Sequence, residues 1–486
     1  MVAGRNAIRS GPGRDRLAHP KANGCVMRVY STVQSSERLR LRAAVSTALL
    51  LIAAPAAMAQ PMQETVIFEN VRIFDGQSET LSEPSNVLVS EGLISSISAS
   101  PITEEGAVVI DGEGMVLMPG LIDAHWHTML IRNTAPQSIV GDVGYNNIAA
   151  ADEAADTLMR GFTTVRDVGG PAFGLKQAID EGLIEGPRIY PSGAMITVTS
   201  GHGDFRQLHE LPRTIGGHMS RMEVIGGAMV ADSPDEVRVR VREQLMQGAS
   251  QIKLTAGGGV SSPFSPVDVS TFTLEELTAA VEAAENWGTY VTAHAFTSAA
   301  IRRSIEAGVK VIEHGFLMDE ETAQLIAEKD VWLSLQPLPE ALRLGFPEGS
   351  VQRVSADQVF PGIGPTYELA KKYNIKTAWG TDVLFSQALA QQQGAILASL
   401  EQWYTPAEAL IMATSANAEM LALSGPRNPY PGALGVVEDG ALADLLLVDG
   451  NPLEDLGLVA DPANFVVIMK DGVIYKNTLD EEPSDP

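Results

Sequence analysis

The sequence predicts an α/β chain: a (β/α)8 barrel with a small β-sandwich domain formed from both chain ends. Three observations carry this. Short apolar runs punctuated by Gly, Ser and Asp recur between Thr65 and Met118. The same signature returns in Leu445 to Val448, Phe465 to Ile468 and Val473 to Tyr475. Between the two, strand-like runs alternate with amphipathic stretches, as parallel βα units require.

Residues 1–59 are a different kind of chain. They hold nine Lys or Arg against only Asp15 and Glu37, whereas the whole sequence carries 34 basic and 60 acidic side chains and a formal charge of −26. Arg38, Arg40 and Arg42 lead into an apolar run broken by Pro55, and Ala57-Met58-Ala59 precedes Gln60. A basic segment, a short apolar core and an Ala-x-Ala site describe a secretory signal peptide, hence a periplasmic or secreted protein. Met27 is an alternative start. The run is too short for a comfortable span, so no stable membrane association is expected after cleavage. Loss of residues 1–59 takes the charge to about −33 and removes Cys25, the only cysteine among the 486 residues. An acidic chain of this kind is excluded as a general nucleic-acid binder, which needs clustered Lys and Arg. Internal disulfides and thiolate metal sites are excluded too.

Residues 60–118 and 430–486 are assigned to one composite β-domain. Its predicted strands fall at Val66 to Phe68, Val71 to Phe74, Val87 to Val89, Ile94 to Ile97 and Val108 to Ile110, plus the three C-terminal runs, all expected antiparallel. Residues 119–429 are assigned to the barrel. Its predicted strands are Leu121–His125, Thr163–Asp167, Arg188–Ser192, Gln251–Thr255, Tyr290–His294, Lys310–His314, Val331–Gln336 and Thr377–Asp382. Predicted helices include Asn146–Met159, Asp235–Gln247, Leu274–Asn286 and Pro406–Leu423. A doubly wound sheet is the weaker alternative, because no Gly-x-Gly-x-x-Gly follows the first strand. The Pro- and Gly-rich stretch from Gln336 to Pro365 is long for a connection and reads as a lid or binding wall. There Leu338, Leu344, Phe346, Phe360 and Ile363 either line an apolar pocket or pack the loop onto the barrel.

In such a barrel the carboxyl ends of the strands carry the chemistry. The first strand ends in His125-Trp126-His127, and strand alternation sends both imidazoles to one side. Lys253 lies near the end of the fourth strand, His294 ends the fifth, His314 the sixth and Asp382 the eighth. Singly, each has an ordinary alternative as a core histidine, an ion-pair partner or a helix cap. Jointly, at matching ends of five strands, they predict a metal site built from nitrogen and oxygen donors.

The motifs Met118-Pro-Gly-Leu-Ile-Asp-Ala-His-Trp-His127, Gly161-Phe-Thr-Thr-Val-Arg-Asp167, Ile252-Lys253, Gly257-Gly-Gly259, Thr292-Ala-His294, Ile312-Glu-His-Gly315, Gly380-Thr-Asp382 and Leu434 to Leu445 resemble the amidohydrolase superfamily. The likeness is to its secreted prolidase-like and imidazolonepropionase-like branch, which includes dipeptidases and ochratoxin-hydrolysing enzymes, and it covers nearly everything after the leader. It implies two divalent metal ions, with zinc suited to these donors. His125, His127 and Asp382 would hold one ion, His294 and His314 the other, and Lys253 as N6-carboxylysine would bridge them. An ammonium would repel two cations, whereas a neutral amine that has captured carbon dioxide is an anionic ligand.

Asp382 is then the expected catalytic base and acid. His202, between Gly201 and Gly203, is the expected second catalytic and substrate-binding residue, placed to stabilise an oxyanion. Arg206 and Arg213 are candidates for a substrate carboxylate. The expected reaction is hydrolysis of a carboxamide in a small-molecule amide or peptide, an N-acyl amino acid, a dipeptide, an Xaa-Pro peptide or an ochratoxin A-type compound. Alternatives are a cyclic-amide hydrolase or a deaminase on the same scaffold, or a non-catalytic periplasmic binding protein. Deamination is disfavoured because Ala295, Phe296 and Thr297 follow His294 where a His-x-x-Glu is usual. The family often assembles, and a homo-oligomer is expected on that ground alone.

Overall fold

Five short strands open the described chain: β1 (Val66–Ile73), β2 (Ser85–Ser90), β3 (Leu93–Ser98), β4 (Val108–Asp111) and β5 (Val116–Pro119). The structure, a computed structural model, describes residues 64–479, so the predicted leader, Cys25 and the acidic end from Asp480 lie outside the described residues. Apolar alternation builds the ladder β1–β2–β3, with Val87 and Val89 buried on one face and their neighbours on the other. The expectation of a wholly antiparallel domain is corrected here: β1 pairs parallel with β4 and, further along, with β5. The break falls at Asn70, which sits at φ 53°, where the register of β1 against β2 also shifts. Asparagine tolerates this left-handed backbone better than most residues.

Gly120 then turns the chain into the parallel-strand segment: β6 (Leu121–Trp126), β7 (Phe162–Asp167), β8 (Arg188–Pro191), β9 (Met195–Thr197), β10 (Ala228–Val230), β11 (Ile252–Thr255), β12 (Val291–Thr297), β13 (Val311–Leu317), β14 (Trp332–Leu335) and β15 (Thr377–Trp379). All eight predicted strands are present, and β9 and β10 are additional. They pair in parallel as two arcs, β6–β7–β8 and β10–β9–β11–β12–β13–β14–β15. Their near-continuous burial is what a parallel sheet covered by helices demands.

The covering helices start where local chemistry says they should. Ser233 caps Pro234–Gln247, which stops at Gly248 with φ 101°; Thr273 and Glu276 form a capping box for Leu274–Glu285. The helix predicted over Pro406–Leu423 is instead broken: an α segment to Ile411, a π turn over Met412–Ala416 and a second α segment from Asn417. That irregular turn lets Asn417 donate to the carbonyls of Ile122 and Trp379 while accepting from the Trp379 N–H, tying β6 to β15. The long stretch after β14 is mostly helical, with Glu340–Gly345, Val351–Val359 and Ile363–Lys372. Leu338, Phe360 and Ile363 line a lateral cavity of about 780 Å³ with Ile396 and Trp403, while Leu344 is exposed.

The last strands, β16 (Leu445–Val448), β17 (Phe465–Lys470) and β18 (Val473–Asn477), return to the first sheet, and β16 lies antiparallel to β5. Both chain ends therefore share one eight-stranded sheet. Val66, Phe68, Val87, Leu445, Leu447 and Val467 form its separate core. Each such side chain contributes about 1.5–3 kcal/mol on burial. Arg188 of β8 fastens this sheet to the parallel-strand segment through a buried bidentate pair with Asp444.

Candidate metal centre

Asp382 follows β15 at φ 53°, and its backbone N–H donates to the carbonyl of His125 at 2.8 Å. Gly380 makes that approach possible, since a Cβ there would lie 2.4 Å from the His125 nitrogen. One carboxylate oxygen of Asp382, Oδ1, faces His125 Nε2 and His127 Nε2, each at 3.2 Å. His125, His314 and Asp382 offer donor atoms within 4.8 Å of one another. The His294 ring lies 4.5 Å from that of His314, and the His202 ring 4.5 Å from His294. The four predicted ligand histidines and Asp382 thus come together, with His125, His127, His294 and His314 buried, Asp382 partly accessible, and Lys253 buried and within electrostatic reach of Asp382.

The supporting bonds decide which nitrogens face the centre. His125 Nδ1 meets the Glu313 carboxylate at 2.8 Å, and His127 Nδ1 meets the Gly169 carbonyl at 3.1 Å. His314 Nδ1 meets Gln336 Oε1 at 2.6 Å, and His294 Nε2 meets the Gly258 carbonyl at 2.7 Å. All four partners accept, so each of those nitrogens carries the hydrogen. The lone pairs therefore sit on Nε2 of His125, His127 and His314 and on Nδ1 of His294. Two lone-pair nitrogens then face the same Asp382 oxygen, acceptor against acceptor, which is favourable only with positive charge between them. The donor set fits divalent cations on this ground.

The electrostatics show how strongly the anions of the site call for positive charge beside them. Burial pushes the His125 imidazolium down most, but the Asp382 and Glu313 carboxylates together outweigh it and Lys253, and the net shift is upward. Burial opposes ionisation of Asp382, yet His125 and His127 hold its carboxyl well below the ordinary range. Lys253 is pushed down to about 8, chiefly by burial and further by Arg166, against the pull of Glu313 and Asp382. A neutral amine is thereby within reach near neutral pH. Burial also brings His314 down to about 3 and His202 to about 4, with Asp382 opposing both, so both rings are neutral.

Several supporting residues have no assigned role in the sequence reading. Glu313 is wholly buried; besides His125 it accepts from Arg166 Nη2 at 2.6 Å and from the Thr292 hydroxyl. Asp123 accepts from the His125 and Thr381 N–H groups, the Thr381 hydroxyl and the Gln393 amide, locking the strand ends that carry His125 and Asp382. Asp167 holds Thr128 and Gly169 in the same way. Period-two alternation predicts that Glu313 and His314 point apart, and a left-handed φ of 77° at His314 is what brings both into the interior. The one signal available from sequence was the acidic residue beside a strand-end histidine.

Of the substrate candidates, His202 lies beside the centre. Arg206 is buried, and its Nε and Nη2 are both engaged by Asp204 at 2.7 and 2.6 Å. Arg213 is exposed, at a surface depression shared with Asp232, Asp235 and Glu236.

The family model described as "Amidohydrolase family" matches residues 116–475. The ochratoxinase of Aspergillus niger is 31% identical over 377 residues, covering 74% of this chain and 76% of that protein. A crystal structure of an amidohydrolase superposes with a TM-score of 0.78 at 36% identity, covering 86% of this chain and 100% of that one. A prolidase complexed with N-methylphosphonate-L-proline gives a TM-score of 0.78 at 32% identity, covering 85% and 100%.

Proposed function

The chain belongs to the amidohydrolase family, and from that premise we propose that it hydrolyses a carboxamide bond to release an amino acid from an N-acyl, dipeptide, Xaa-Pro or ochratoxin A-type conjugate. Membership makes it a hydrolase of C–N bonds in small molecules; the substrate class is drawn from the prolidase and ochratoxinase relatives. We read the eight predicted strands within the two arcs as one barrel closing between β15 and β6, which the Asp382–His125 backbone bond supports. The terminal sheet reads as a sandwich folded at Asn70, since β1 serves two ladders either side of it.

One observation carries the chemistry: two imidazole lone pairs aimed at the same oxygen of Asp382. His125, His127 and Asp382 would hold one divalent ion, His294 and His314 a second, and Lys253 as N6-carboxylysine would bridge them; zinc suits the donors. Such ions supply a water of lowered pKa and polarise the scissile carbonyl. Asp382, exposed enough to meet a water and held ionised by its imidazoles, takes the proton of the attacking water and returns it to the leaving nitrogen. His202 donates to the carbonyl oxygen as negative charge develops there. Glu313, Gln336 and the Gly258 carbonyl keep the imidazoles from rotating.

The test pairs metal analysis with a panel of N-acyl amino acids, dipeptides, Xaa-Pro peptides, ochratoxin A and cyclic amides. Two metals per chain and release of a free amino acid are expected. Fewer than two metals, or a fully active Lys253→Ala variant, would remove the bridging lysine; turnover of cyclic amides alone would replace the substrate class. Export is proposed from the leader motif, and N-terminal sequencing of the secreted protein should begin at or near Gln60. Assembly into a homo-oligomer is proposed from family habit, and light scattering coupled to gel filtration reads it.

A further inference from the structure

The loop after β11 touches the site at two histidines, and it presents different chemistry to each. Gly258 offers His294 a carbonyl, which only accepts. Ser262, buried to 1% exposure, offers His202 a hydroxyl at 2.9 Å from Nδ1. The same hydroxyl oxygen accepts the backbone N–H of Gly203 at 2.9 Å. With that N–H on one lone pair, the hydroxyl hydrogen needs an acceptor, and among the described residues His202 Nδ1 is the one within bonding distance. Were Nδ1 protonated instead, the serine hydrogen would be buried without a partner, at about 1–3 kcal/mol. The ring is also held by shape: a Cβ on Gly259 would lie 2.0 Å from Nδ1.

We infer that Ser262 is a positioning residue that fixes His202 as the Nε2–H tautomer, with Gly259 leaving the space that this orientation needs. One loop thus sets the same Nε2–H tautomer from opposite ring edges, accepting from Nε2 of His294 and donating to Nδ1 of His202. His294 is left with a lone pair on Nδ1, and His202 with a hydrogen on Nε2, the ring edge turned away from the loop. A neutral imidazole so fixed is a hydrogen-bond donor for a carbonyl oxygen and cannot act as a base through that nitrogen. The inference rests on the proposed role of His202, but the tautomer is a property of the free protein and is measured without substrate.

The experiment uses the metal-loaded full-length enzyme with 15N-labelled histidine. The His202 resonances are identified by their loss in His202→Ala, and nitrogen-detected NMR should show Nε2 protonated and Nδ1 as an acceptor. Ser262→Ala should lose that signature and lower kcat about tenfold on the best substrate of the panel, with KM within about twofold; this is less than the ~10²–10³-fold expected for deleting an oxyanion donor outright. Ser262→Thr should restore both. In a His202→Ala background, Ser262→Ala should add nothing further. Nδ1–H on His202 in the wild type, or an unchanged tautomer in Ser262→Ala, overturns the inference. If His202→Ala keeps full kcat while the tautomer is as stated, it is the oxyanion role that fails.

Discussion

One half of the centre is held by strands and the other by a loop. His125 and His127 stand on and just past β6, braced by Glu313 of β13 and the Gly169 carbonyl beyond β7. His202 and His294 face the loop after β11, which holds them with a carbonyl and a hydroxyl and fits against them through the bare Cα of Gly259. The strand-held half is fastened by buried charge, since Glu313 answers both Arg166 and His125. The loop-held half is fastened by neutral bonds and close contact. Damage to the first should therefore cost stability and metal together, and damage to the second should cost turnover more than stability.

The largest effect is expected where the halves meet. Asp382→Asn should lower kcat about 10²–10⁴-fold, the range of a lost general base, with the fold intact by circular dichroism; normal turnover with metals bound would end the proton-shuttle role. Next comes Glu313→Gln, which leaves Arg166 buried without its carboxylate. It should reduce metal retention against a chelator about 10–100-fold and lower unfolding free energy by about 3–5 kcal/mol. If both are unchanged, the charged brace is dispensable and the comparison collapses. Gly259→Ala should cost about tenfold in kcat by displacing His202, with the melting temperature shifted by only a few degrees; an equally large loss of metal would show that the halves are not separable.

The smallest effect tests the outer part of the loop-held half. Burial opposes the Asp204 carboxylate, but Arg206 and the Ser200 N–H hold its carboxyl below the ordinary 3.8. Its contribution is thus complete above that pH and fades as acid protonates the folded form at a lower value. Asp204→Asn should cost about 1–2 kcal/mol above pH 4 and less in stronger acid, read from urea unfolding at several pH values. A penalty that grows on acidification would reverse the assigned sign.

How much was legible follows the same division. The strands and their terminal His125, His294, His314 and Asp382 could be read because apolar runs with a polar residue at one end are a local signal. Glu313 was not readable as a brace, because its inward position depends on a left-handed backbone at the next residue. Ser262 carries no sequence pattern at all; its meaning comes from Gly203 and His202 arriving sixty residues earlier in the chain. The parallel partners of β1 were missed because alternation fixes the face a residue occupies and says nothing of strand direction. The helices between Glu340 and Lys372 were hidden by the Pro and Gly residues that separate them.

The sheet shared by early and late strands ties its own completion to the end of synthesis. β5 lies on the β1 side of the sheet, but its other neighbour, β16, begins more than three hundred residues later. Until β16 is made β5 has no partner on that side, and the whole parallel-strand segment is made in the interval. A copy ending before Leu445 would keep that edge exposed, where another chain can pair with it. The sheet therefore cannot be completed until its last strands have been made, and that requirement distinguishes a finished molecule from an interrupted one before any substrate is met.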